Sequence, residues 1–193
     1  MYLVSTIGRC GSSMLISTLQ DYLLSVDNPK AKNHYYPTDV ENHRPPVVGA
    51  IFLFGDITDV ILSVRRSHER FGNGWIDLHN KNLNGDYENR YNYLKKDTFY
   101  LERMFDEWMR PQNFPLLTLK YEDMWQNEDI ISKFLGCPHF ELPEFNQTSN
   151  KHGSGKESRF FRRAANKELV SDINKNYSSL IKKVNNFPSA KIW

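Results

Sequence analysis

Only two cysteines, Cys10 and Cys137, occur in 193 residues, and they lie far apart in the chain. That scarcity argues against a disulfide framework and fits a reducing compartment, so a cytoplasmic location is expected. No run of about 18 apolar residues exists, and no membrane span is expected. The first residues, MYLVSTIGRCG, have no basic stretch ahead of a long apolar one and read as a strand rather than a secretion signal. The sequon Asn146-Gln147-Thr148 is therefore not expected to carry a glycan. Charge of one sign is also scarce. Twenty-five Lys and Arg against 23 Asp and Glu leave +2, with no basic tract, which argues against a nucleic-acid partner. No Cys/His cluster at zinc spacing is present, so no metal site is expected. Internal repeats and low-complexity segments are absent too.

What remains is an ordinary globular balance, 39% hydrophobic and 25% charged, enough for one domain with a real core over 1–193. Short apolar runs predict strands over 2–7, 47–54 (VVGAIFLF) and 116–121 (LLTLKY). Helical spacing of apolar residues predicts helices over 12–24, 59–70, 96–110, 128–135 and 168–184. Gly136 and Pro138 form a stop after the fourth of these. The Asn-, Gly- and Asp-rich stretch 71–90 reads as a loop or lid. Phe105 and Trp108 read as core. Alternating strands and helices predict a three-layer α/β fold, a central parallel sheet flanked by helices. In such sheets ligands bind beyond the carboxyl ends of the strands, here after Ile7, Phe54 and Tyr121.

The turn after the first strand reads Gly8-Arg9-Cys10-Gly11-Ser12-Ser13. Two glycines permit a tight turn and close backbone approach to a ligand. Amides at the following helix N-terminus attract an anion, Arg9 adds fixed charge, and Ser12 and Ser13 add hydroxyls. The pattern suits a phosphate. It is not the nucleotide loop GxxxxGK(S/T), since the fifth residue after Gly8 is Ser13 and no Lys-Ser follows. Nor is it a cysteine phosphatase loop, since the sixth residue after Cys10 is Ile16 rather than arginine. The plain alternative is a Gly-rich turn capped by Ser12 or Ser13.

The loop has company. Arg9, Gly11, Ser12 and Ser13 match the 5′-phosphosulfate loop of sulfotransferases, and LFGDITDVILS resembles that family's 3′-phosphate segment RxxxDVxxS through Asp59, Val60 and Ser63. WMRPQNFPLLTLKYEDMW resembles the strand ending in YEDM, through Trp108, Tyr121, Glu122, Asp123 and Met124. KAKNHYYP is similar to the KTHLP segment through Lys32, His34 and Pro37, with one extra residue before the proline. SNKHGSGKESRF resembles the late Gly-rich loop through Lys151, Gly153, Gly155 and Lys156, one residue short. The resemblance spans almost the whole chain in the right order. It implies a P-loop-NTPase-like sulfotransferase fold and a transferase moving a sulfuryl group from 3′-phosphoadenosine 5′-phosphosulfate (PAPS) to a hydroxyl or amine of a small-molecule or glycan acceptor.

The implied roles follow residue by residue. Arg9 and Lys32 stabilise charge on the leaving oxygen, and His34 is the base, with His43 the runner-up. Arg9, Cys10, Gly11, Ser12, Ser13, Met14, Ser63, Arg66, Lys151 and Gly153 hold the nucleotide; Cys10 carries no nucleophilic duty. Two positions depart from the family. Its 3′-phosphate arginine falls on Gly55, so Arg65 or Arg66 is expected to substitute, and Met14 stands where many members place tryptophan. Gly55 keeps two alternatives open, a nucleotide-binding module that has lost catalysis and a phosphotransferase of related fold. His68, His79, His139 and His152 read as structural or surface residues. Phe160 to Arg163 read either as a basic-aromatic patch or as a helix start. Tyr35, Tyr36, Phe71, Trp75, Tyr87 and Tyr91 are candidate acceptor-cleft aromatics.

Overall fold

The three apolar runs become neighbouring strands of one sheet. In the computed structural model, which describes residues 1–22, 24, 26, 34–144 and 163–193, β1 (Tyr2–Thr6), β2 (Gly49–Phe54) and β3 (Leu116–Lys120) lie side by side in chain order. They pair in parallel, with Val4 opposite Ile51 and Ile51 opposite Leu117. Every residue of β2 is buried, so both of its faces are covered, as its unbroken apolar run predicts. The sheet is mixed rather than wholly parallel. β4 (Ala190–Ile192) runs antiparallel on the outer edge of β3, Leu117 opposite Ile192. Three residues soon after Pro188 carry no periodicity that announces a strand, so this edge is not legible in the sequence.

Helices fill the crossovers. α1 (Ser12–Asp21) buries Leu15, Ile16 and Leu19. α2 (Pro37–Glu41) is one short turn opened by Pro37, and the Asp39 carboxylate accepts from the Tyr36 amide at 2.8 Å. α3 (Ile57–Phe71) starts earlier than predicted because the Asp56 side chain caps it, accepting from the Asp59 amide at 3.2 Å. The expected loop over 71–90 contains a helix, α4 (Asn73–Asn82). Its Asn and Gly content is poor for helix, but Ile76 and His79 are buried on one face, with Trp75 packed beside them, and packing overrides propensity. α5 (Leu101–Trp108) is shorter than predicted: the Asp97 carboxylate accepts from the Leu101 and Glu102 amides at 3.0 and 2.9 Å and fixes its start. α6 (Glu128–Leu135) ends at Gly136, whose φ of 63° is the left-handed stop that glycine supplies without strain.

The last predicted helix is two, α7 (Lys167–Asn176) and α8 (Ser178–Asn186), broken at Tyr177. That residue turns inward until only 2% is exposed, and its hydroxyl donates to the carbonyls of Tyr93 at 2.5 Å and Lys96 at 3.1 Å. Burial pushes its phenol pKa up, so it stays a donor. Tyr177→Phe leaves two carbonyls without that donor. The expected cost is about 1–2 kcal/mol. Melting should fall by roughly 2–8 °C for a chain of this size, read by thermal denaturation; an unchanged melting point would mean that the break has another cause.

The largest buried ring, Trp108, stacks on Phe52 at 5.0 Å and donates its indole N–H to the Tyr35 carbonyl at 2.9 Å. Trp108 and Phe105 are therefore core, as expected. Among the described residues no helix is long and apolar enough to cross a membrane.

Candidate functional site

The turn leaving β1 is built on unusual backbone. Gly8, Arg9 and Gly11 have φ of 102°, 58° and 72°. Arginine in that region carries local strain, which persists only where the surroundings fix it and which tends to gather at functional sites. The Gly8 amide donates to Thr6 Oγ1 at 3.1 Å, and the Cys10 thiol donates to the Gly8 carbonyl at 3.1 Å. Cys10 is buried at 1% exposure, a packing position. Gly11 begins α1 without a side-chain cap among the described residues, and its carbonyl accepts from Met14 and Leu15 at 3.1 Å each. Ser12 is buried, Ser13 exposed, and Met14 lies half-buried against the core.

The next strand is adjacent, so the turn after it lies beside this one. Arg9 crosses the gap, and its Nε donates to Ser63 Oγ on α3 at 3.0 Å. The structure thus joins Arg9 to Ser63, two residues 54 positions apart that the sulfotransferase resemblance would set at opposite ends of one nucleotide. Arg66, exposed on the same helix, lies near enough for its charge to act on Arg9. Desolvation, then that like charge, lowers the Arg9 pKa, though a guanidinium remains cationic at any physiological pH. Arg65 is already engaged, its Nε donating to Glu69 at 2.7 Å and its Nη1 to Asn166 at 3.1 Å.

Gly55, the position at which the resemblance expects an arginine, is closely packed. A Cβ there would lie 3.1 Å from Glu122 Oε1 and 3.2 Å from Cys10 Sγ. The Glu122 carboxylate also accepts from the Asp56 amide at 3.2 Å. Any side chain at position 55 would press on Glu122 and Cys10, which would have to give by a few tenths of an ångström. Arg163 reaches this corner too, pairing with Asp56 at 2.6 Å and Asp59 at 3.1 Å.

His34 reaches the Gly8 turn from the other side. Tyr2 bridges Val26 in parallel, so Val26 lies on the edge of β1 away from β2. The His34 Nδ1 lies 2.8 Å from the Thr6 carbonyl. A carbonyl only accepts, so Nδ1 carries the proton and, in the neutral ring, Nε2 is the basic nitrogen. His43 instead bonds the Pro45 carbonyl at 2.9 Å in the turn before β2. Lys32, Lys151 and Gly153 lie outside the described residues.

The chain matches no protein-family model, no curated protein and no solved structure. Its site must be read from its own geometry.

That geometry brings one further residue, outside the matched motifs, against the same turn. His79, expected to be structural or surface, packs edge-on against His34 with ring centres 5.3 Å apart and stacks on Trp75 at 4.7 Å. A Cβ on Gly8 would lie 3.3 Å from His79 Cε1 and 3.5 Å from His34 Cε1, so both imidazoles close on the same turn. The Arg9 guanidinium lies 6.0 Å from the Trp75 ring centre. The available signal was Trp75 and His79 four residues apart, the spacing that shares a helix face. Of the other aromatic candidates, the Tyr36 hydroxyl is committed to the Leu83 carbonyl at 3.2 Å, and Phe71, Tyr87 and Tyr91 are exposed.

Proposed function

We propose that the chain is a sulfotransferase using PAPS, with the turn after β1 gripping the 5′ end of the donor. The observation that supports this reading is the Arg9–Ser63 hydrogen bond of 3.0 Å at a turn that also receives His34. It brings a guanidinium, the N-terminus of a ten-residue helix, a hydroxyl of the next crossover and a candidate base to one place. The α/β class with three parallel strands suits a P-loop-like sulfotransferase fold, which belongs to the same proposal. In this reading Arg9, Gly11, Ser12 and Ser13 hold the 5′ end, and Ser63 and Arg66 meet the 3′-phosphate. The donor supplies an activated sulfuryl group. The chain's part is positioning and charge stabilisation, with His34 Nε2 taking the acceptor's proton.

A second reading, a nucleotide-binding module without turnover, is favoured by the Glu122 carboxylate beside Gly55, since it puts negative charge near the proposed 3′-phosphate position. Both readings require the same ligand to bind. At a hundredfold excess over Kd, 3′,5′-bisphosphoadenosine should stabilise the protein by about 2.7 kcal/mol. That corresponds to a rise in melting temperature of roughly 5–10 °C. GTP should give almost none, and ATP less than the bisphosphate. A shift with GTP alone overturns the donor assignment. Transfer from radiolabelled PAPS to a panel of phenols, sugars and amines then separates an enzyme from a binding module.

A further inference from the structure

We propose that His79 is a further ligand of this site, its Nε2 donating a hydrogen bond to an oxygen of the sulfuryl group at the Gly8 turn. The inference rests on the donor reading above and extends it to a residue outside the matched motifs.

The ring of His79 is walled in. Trp75 stacks on it at 4.7 Å, Phe99 meets it edge-on at 5.1 Å, and His34 packs against it at 5.3 Å. One edge, Cε1–Nε2, faces Gly8, and these atoms lie 3.3 and 3.6 Å from where a Cβ on Gly8 would be. The residue is only 7% exposed, and its Nε2 has no hydrogen-bond partner among the described residues. Buried ring nitrogens are nearly always paired. An unpaired one aimed at a turn with the features of an anion loop is a group held for a ligand.

The surroundings decide the ligand's class. Arg9 follows Gly8 directly, and its charge acts on His79, so a cation is repelled from this corner and an oxyanion is drawn to it. Burial, then the His34 and Arg9 charges, holds the His79 pKa well below its usual value, so the ring is neutral at physiological pH. A neutral imidazole presents a single N–H and adds no repulsion toward Arg9. It suits a group whose negative charge is spread over several oxygens and must be met from more than one side. His34 keeps the role of base, and His79 holds what is transferred.

The test uses the full chain saturated with 3′,5′-bisphosphoadenosine, which occupies the nucleotide positions and leaves the sulfuryl seat to inorganic sulfate. Sodium sulfate is titrated against a chloride control, and the ring resonances of His34 report binding by NMR. Wild type should show a saturable sulfate response. His79→Phe keeps the ring packing but removes the nitrogen, and should weaken sulfate at least tenfold while leaving bisphosphate affinity unchanged. His79→Gln, which restores an N–H near the same place, should recover most of that loss. Equal sulfate affinity in wild type and His79→Phe overturns the inference. So does a bisphosphate-saturated wild type with no saturable sulfate response. If His79→Phe fails to take up bisphosphate, the Gln variant decides, since sulfate must follow the N–H. A wild type that takes up no bisphosphate defeats the donor reading itself, and the inference with it.

Discussion

Gly11→Ala should lower the melting temperature by roughly 5–20 °C and abolish bisphosphate binding. Two effects add at this position. With φ at 72°, alanine sits in the left-handed region, at about 1–2 kcal/mol. Its Cβ would also fall 2.3 Å from Tyr121 Cε2 and 2.7 Å from Cδ2, so the Tyr121 ring or the loop must move. Overpacking of this kind costs about 1–3 kcal/mol. The total of about 2–5 kcal/mol converts to the stated shift at roughly 2–4 °C per kcal/mol. The two effects separate in a double-mutant cycle. Adding Tyr121→Ala removes the collision but not the strain, so the pair should lose less than the sum of the singles. Strict additivity would show that the ring is not what the methyl meets.

The second large effect concerns chemistry. His34→Asn should leave bisphosphate affinity within about threefold and cut sulfuryl transfer by roughly 100-fold, the usual scale for a general base. Asparagine is chosen because its amide N–H can still donate to the Thr6 carbonyl, as Nδ1 does at 2.8 Å. Only the basic nitrogen is lost. Transfer is measured from radiolabelled PAPS to whichever phenol, sugar or amine the wild type modifies. Unchanged transfer with intact binding would remove His34 from the reaction and leave the anion loop standing.

Where a residue's own neighbours decide its structure, the sequence showed it. β1, β2 and β3 are apolar runs, and α6 carries its stop signal at Gly136. Where distant contacts decide, it did not. α4 forms because Ile76 and His79 are buried, against the preference of its three asparagines and its glycine. The break between α7 and α8 exists because Tyr177 reaches the Tyr93 and Lys96 carbonyls, more than 80 residues away. β4 depends on the exposed edge of β3. The site divides in the same way. Arg9, Gly11, Ser63 and His34 were each recognisable within short motifs, and strand adjacency brings them together. His79 sits among polar neighbours in LHNKN, and nothing local tells that its ring faces Gly8. Nor does the sequence tell that position 55 is packed against Glu122 and Cys10.

Tyr121 and Glu122 leave β3 side by side, one beneath Gly11 and the other against Gly55. A single pair of adjacent residues thus forms the floor under both turns. Among chains descended from this one, a larger residue at 11 or 55 should therefore arise only alongside a smaller one at 121 or 122, and the two turns should drift together rather than singly.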